Sequence, residues 1–461
     1  MNEQTAKDIE AAFGFTLNKN QARDLERLVF EISRRENIAS HAVLARIDPS
    51  QLKNHSGREK FAALKKILTS SRFPLTSAQQ KIDPASLFLT KPRAALTDSW
   101  QVQPTFAPQE IIVESTVADS ALAARFKHTF PNTPVTIVGY YSDYVKEHPF
   151  RLSDLKKPLV FIIKENWDFF KACPCTKEHL RCGYWILNLG FGCPFDCSYC
   201  FLQHYTNVPG LILPANLDDF FSRFAKFQAN LSRPIRIGTG EFCDSLALDH
   251  VTGYAQELIE YFRDKKVVFE LKTKSANIAG LLNLKPPENI VISWSLNPQG
   301  IVDGQERATA SLDQRLEAAK LLQEKGWRIG FHFDPIIHSS DWEKLYAQTV
   351  NQLYAKIKPP VAWISLGTLR SNRELKTIVE QRFPESDIFY GELLLGEDKK
   401  LRYPELLRRQ IYSKMLDWLR EHDKKTPVYL CMENQKMWRD LIGVNDTGTI
   451  EKYLLSISFP G

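Results

Sequence analysis

The sequence predicts an α/β fold: an incomplete (β/α)6 TIM-like barrel, preceded by an N-terminal α/β extension and a separate N-terminal helical module. Three observations carry this expectation. From Trp185 onward, apolar runs of strand length alternate six times with segments of helical periodicity. A shorter strand-helix-strand pattern comes before them, and residues 1–76 show helical spacing alone.

In the 1–76 module, Leu25, Leu28, Val29 and Ile32 recur one helical face apart after Asn18 and Asn20, and Phe61, Leu64 and Leu68 repeat the pattern. Residues 77–108 carry scattered prolines and no sustained period, which reads as a linker. Residues 109–170 contain EIIVEST, a helical ADSALAARFKHTF, VTIVGYY and PLVFIIK, a small α/β unit. The barrel is expected over 171–400, with strands WILNLGF, IRIGTG, VVFELKTK, IVISWSLN, RIGFHFDPI and VAWISLGTL. Helices at 217–228, 251–263, 312–324, 341–356 and 373–382 alternate with them. Residues 401–461 add a long helix from Tyr403, a strand VYLCM and a short helix near Met437.

Composition excludes several classes. With 43% hydrophobic and 25% charged residues, the 461-residue chain can bury a large core. Sixty basic residues against 54 acidic ones are too evenly mixed to argue for a polyanion partner by charge alone. No stretch approaches the roughly 18 uninterrupted apolar residues of a membrane span, and the first residues lack a signal peptide's apolar core, so a cytoplasmic protein with no membrane partner is expected. Six of the eight cysteines crowd between Cys173 and Cys200, as metal ligands do in a reducing compartment.

The segment FGCPFDCSYCFLQ places Cys193, Cys197 and Cys200 in a C-x3-C-x2-C spacing just after the first barrel strand. Three thiolates can hold three irons of a 4Fe-4S cube and leave the fourth iron without a protein ligand. That open iron can chelate S-adenosyl-L-methionine and pass an electron to its sulfonium, splitting a carbon-sulfur bond to give a 5'-deoxyadenosyl radical. A structural zinc site completed by Cys182 or Cys175 is the rival reading of the same cysteines.

In a parallel barrel the strand C-termini converge on one mouth. Polar residues stand at those ends: Glu241, Cys243 and Asp244, then Lys272 and Lys274, Ser295 and Asn297, His332 and Asp334, and Thr368 with Arg370. A single one of them reads equally as a cap or turn residue.

Here the sequence resembles the spore photoproduct lyase family of radical S-adenosylmethionine proteins, the DNA photolyase-like branch. GCPFDCSYCFLQHY, GEFCDSLALDHVTGY, LKTKS, SWSLN, RLEAAKLLQEKGWRIGFHFDPII and IIVESTVADSALAARF carry the similarity, from about Glu110 onward. The resemblance implies a lyase-type enzyme acting in DNA repair, with Cys193, Cys197 and Cys200 as the metal ligands. It places Tyr199, Lys274 and Ser295 against S-adenosyl-L-methionine, and Cys243 where the lyase has a small hydroxyl residue near that cofactor. Two positions depart from the family pattern. Glu241 stands where the lyase has its hydrogen-donor cysteine, and Phe201 where it has a second relay tyrosine. A glutamate cannot donate a hydrogen atom, so Cys243, Tyr199 and Glu241 are together the candidate catalytic residues. Implied partners are a nucleic acid, DNA foremost, and a flavodoxin or ferredoxin as electron donor. The same chemistry on a modified RNA, nucleoside or protein, or a non-catalytic binding protein with a structural metal, are the alternatives.

Remaining features read more blandly. Cys173, Cys175 and Cys182 precede the barrel. They read either as a second metal site or as buried or redox-inert thiols; side chains one residue apart diverge in an extended chain and no fourth ligand is evident, which favours the thiols. Cys431, in an apolar run, is expected in the core. His204 and Tyr205 suit either the cleft or an exposed helix face, and His332 with Asp334 either substrate contact or a satisfied pair. Arg370 with Arg373, and Arg402 with Arg408 and Arg409, suit phosphate contacts or a solvated face.

Overall fold

A computed structural model describes residues 3–52, 55–72, 106–149, 154, 157–166, 169–175, 179–206, 208–396 and 398–455. The expected linker, 77–108, lies outside the described residues as far as 105. Two compact units emerge, one from Met1–Thr97 with Glu374–Glu392, the other from Asp98–Arg373 with Leu393–Gly461.

The first unit packs helices Glu3–Phe13, Lys19–Glu36, Ser40–Ala45 and Gly57–Arg72 around Ile9, Leu25, Val29, Ile32, Leu64 and Leu68. Asn18 starts the second helix through a capping box, accepting from the Gln21 amide at 3.0 Å while the Gln21 side chain accepts from the Asn18 amide at 3.1 Å. A buried carboxylate ties the helices together: Glu31 accepts from Arg72 at 2.7 Å and from Arg27 at 2.8 Å. Arg72 in turn lies over the Tyr390 ring, 5.3 Å from its centroid.

The second unit holds strands β1 (Glu110–Glu114), β2 (Val135–Val138), β3 (Leu159–Ile163), β4 (Phe170–Ala172), β5 (Tyr184–Leu187), β6 (Leu211–Pro214), β7 (Ile235–Gly238), β8 (Val267–Thr273), β9 (Ile290–Ser295), β10 (Arg328–Ile336), β11 (Ile364–Thr368) and β12 (Val428–Leu430). A small all-parallel sheet runs β2-β1-β3-β6. Its last strand, LILP, comes from beyond the cysteine loop and was not foreseen from sequence. The large sheet runs β12-β11-β10-β9-β8-β7-β5-β4 and is parallel except for the β4–β5 pair.

Helices Leu217–Gln228, Leu312–Glu324 and Arg373–Arg382 begin and end where periodicity predicts, and Trp342–Lys356 starts one residue later. Parallel strands covered by helices lose both faces to the core, and β9 is buried along its whole length. The large sheet is curled. Arg236 on β7 donates to the Tyr429 hydroxyl on β12 at 3.3 Å, although four strands separate them in the sheet order. An isolated antiparallel bridge between His179 and Asn434 joins the loops that follow the two edge strands. Among the described residues, no helix is long and apolar enough to cross a membrane.

Candidate functional site

The loop after β5 carries the cysteine triplet, and its backbone is fixed from both sides. Gly192, directly before Cys193, has φ +92°, and a Cβ there would stand 2.7 Å from the Gly210 carbonyl oxygen. Only glycine lets the loop press so closely on the chain leading into β6. On the other side, Asp196 and Cys197 form a two-residue antiparallel bridge with Arg307 and Glu306. The Gln203 side-chain amide donates to the Cys197 and Ser198 carbonyls, both at 2.8 Å.

Glu306 organises the floor beneath this loop. Its carboxylate accepts from the Tyr199 hydroxyl, from Asn297 at 2.8 Å and from Arg315 at 2.6 Å, and it is 2% exposed. Burial works against its charge, yet Arg315 and Lys274 hold its carboxyl down to about 2. The Lys274 ammonium lies 5.1 Å from the Tyr199 ring centroid. Sequence reasoning missed Glu306 because it sits in GQERAT, outside any strand end; only the bridge to Cys197 reveals it.

At the end of β7, Asp244 is a structural lock. It accepts from the Thr273 hydroxyl at 2.6 Å, the Lys274 amide at 2.7 Å and the Leu246 and Ala247 amides. Residues 240–242 form a turn, and both Glu241 and Cys243 line the cavity described below. Glu241 Oε2 is buried without a hydrogen-bond partner. Burial pushes the Glu241 carboxyl up to about 7 against the opposing pull of Lys171, Lys272 and Lys400. Burial, and then Asp244, push the Cys243 thiol up to about 12.

A cavity of about 690 Å³ opens at the strand C-termini. Cys193, Cys197, Cys200, Tyr199, Glu241, Cys243, Lys274 and Ser295, the residues singled out through the family resemblance, all line it. Asn297 and Thr368 do not. Asn297 accepts from the Tyr346 hydroxyl below the cavity, and the Thr368 amide donates to Tyr412. His332, Asp334 and Arg370 also line the cavity, and the His332 ring is held by Ser365 at 2.6 Å and Glu270 at 2.7 Å. Asp334 makes a two-pronged ion pair with Arg370 at 2.7 and 3.1 Å. Arg402 pairs with Asp398, Arg408 with Glu433 and Arg409 with Glu405 and Asp440, so these arginines are engaged within the protein. Tyr205 reaches the cavity, whereas His204 is not among its lining residues.

Cys431 departs from its expected place in the core. It is partly exposed and lines the same cavity, because β12 ends one residue before it and the chain turns into the mouth.

A curled parallel sheet with a C-x3-C-x2-C loop after its first parallel strand defines the class, a radical S-adenosylmethionine-type α/β protein. Residues 106–410 match the spore photoproduct lyase family, and the chain belongs to that family. The spore photoproduct lyase of Clostridium acetobutylicum is 23% identical over 288 residues, covering 61% of this chain and 84% of the relative. That of Bacillus subtilis is 23% identical over 321 residues, covering 65% and 87%. In fold, the chain is similar to a solved spore photoproduct lyase double mutant with bound AdoMet and dinucleoside spore photoproduct. The TM-score is 0.62 at 20% identity, over 71% of this chain and 98% of that one.

Proposed function

We propose that this chain is a radical S-adenosylmethionine lyase that acts on a DNA lesion of the spore-photoproduct type. The observation that carries the reading is the convergence of the cysteine triplet with Tyr199, Lys274, Ser295, Glu241 and Cys243 on one cavity at the strand ends. On this reading the curled sheet is an incomplete (β/α)6 barrel, and the 1–76 helices are a module separate from it.

The donor set suits a 4Fe-4S cluster. Three thiols from one short loop line the cavity, and the loop holds no fourth cysteine to close the last corner. Cys193, Cys197 and Cys200 would hold the cluster, which when bound supplies the electron that cleaves S-adenosylmethionine. Lys274 brings a partly buried positive charge to this corner, and Glu306 fixes Tyr199 beside it. Ser295 stands at the end of β9, with its backbone carbonyl held by Arg315 at 2.8 Å.

Lys171, Lys272 and Lys400 give the outer cavity a positive wall, suited to the phosphate of a dinucleotide lesion. Glu241 lies among them and carries a proton at mildly acid pH. Hydrogen return to the product cannot come from Glu241; Cys243, a protonated thiol on the same cavity, is the candidate donor. A flavodoxin or ferredoxin would deliver the electron.

The test is anaerobic reconstitution with iron and sulfide, reduction in the presence of S-adenosylmethionine, and chromatography with and without dinucleoside spore photoproduct. 5'-Deoxyadenosine from the native chain, absent in Cys193→Ala, together with repaired dinucleotide, is the expected result. An intact cofactor over a fully loaded cluster would overturn the reading; cofactor cleavage without repair would reject the substrate alone.

A further inference from the structure

Four cysteines outside the triplet line the cavity from the two edges of the curled sheet. Cys173 follows β4, one edge of the large sheet, and Cys431 follows β12, the other edge. Cys175 and Cys182 lie in the connection from β4 to β5. The curl and the His179–Asn434 bridge draw these distant segments together, and all four thiols line the cavity.

Local backbone geometry removes the expected divergence of Cys173 and Cys175. The Cys175 amide donates to the Cys173 carbonyl at 2.7 Å, closing a three-residue turn, while the Cys173 amide is anchored to the Tyr184 carbonyl at 2.9 Å. The turn brings the two sulfurs to 3.6 Å. Four thiolates around one ion at the usual zinc-sulfur distance of about 2.3 Å stand about 3.8 Å apart along each tetrahedral edge, so this pair already has the spacing of one edge. Arg370 donates to the Cys431 sulfur at 3.3 Å, a cation placed where a tetrathiolate site would carry net negative charge.

We propose that Cys173, Cys175, Cys182 and Cys431 form a second metal site, a tetrathiolate centre for a single zinc-class ion that clasps the two edges of the sheet. Among the described residues no three ligating side chains are yet closed around one point, so Cys182 and Cys431 turn inward on binding. The site is independent of the triplet and of the lyase reading.

The test uses the full chain, expressed with zinc and purified without chelator. Elemental analysis should give about one zinc per chain, retained when Cys193, Cys197 and Cys200 are all replaced by alanine and lost in Cys182→Ser and in Cys431→Ser. Because those serine variants could fail to fold, the native chain is also alkylated and mapped by mass spectrometry. Cys173, Cys175, Cys182 and Cys431 should resist labelling until a zinc chelator is added, and the chelator should lower the melting midpoint by about 5 °C. Absence of zinc with free labelling of these cysteines overturns the proposal. So does iron that depends on these four residues, since a cluster would then occupy the seam.

Discussion

Cys197 and Glu306 face each other across a two-residue antiparallel bridge, and the Glu306 carboxylate reaches back to the hydroxyl of Tyr199, two residues along the same loop. The loop that would hold the cluster is thus fixed by backbone pairing and by a buried charge together. Removing the carboxylate strands the Arg315 guanidinium, which is fully buried. Glu306→Ala should lower stability by about 3–5 kcal/mol in urea denaturation, and Glu306→Gln by less. An unchanged midpoint in the alanine variant would show that water replaces the pair.

Gly192→Ala tests the other side of the loop. With φ at +92° and a carbonyl 2.7 Å from the new Cβ, the backbone must move. A loss of about 1–3 kcal/mol is expected, with iron bound per chain after reconstitution falling in step. Full iron loading at native stability would rule out the tight contact.

Lys274→Met removes the ammonium above the Tyr199 ring. Binding of S-adenosylmethionine to the reconstituted protein should weaken about tenfold, about 1.4 kcal/mol, by equilibrium dialysis, while iron content stays at the native level. Equal affinity would remove Lys274 from the cofactor site.

Glu241 gives a pH dependence with a definite sign. Its carboxyl rises from 4.5 to about 7 in the fold, chiefly through burial, so folding favours the protonated form. The contribution is complete below pH 4.5 and fades as pH climbs through 7, by at most about 3 kcal/mol. Native stability should therefore fall between pH 5 and 8 relative to Glu241→Gln, whose own curve lacks this slope. Parallel curves for the two proteins across that window would refute it.

The strands of the large curled sheet were legible because burial on both faces demands continuous apolar runs, and its helices because they are long periodic segments. Leu211–Pro214 was not, since four apolar residues between a cysteine loop and a helix carry no period; its partner β3 lies far back in the chain. At the site, strand ends announced Lys274, Ser295 and Glu241 through position alone. Glu306 and Cys431 escaped because what places them is pairing between distant segments. The convergence of Cys173 and Cys175 escaped for a more local reason: a single i to i+2 hydrogen bond reverses the direction their side chains would take in a strand.

The wall of the mouth built by β12 and the residues just after it has a bearing on biogenesis. On the ribosome, the triplet loop and all the inner strands emerge before Val428–Met432 exist. Until Val428–Leu430 pairs with β11, the mouth lacks Tyr429, Leu430, Cys431 and Met432 from its lining, so the cavity takes its final shape only with the last strand of the sheet.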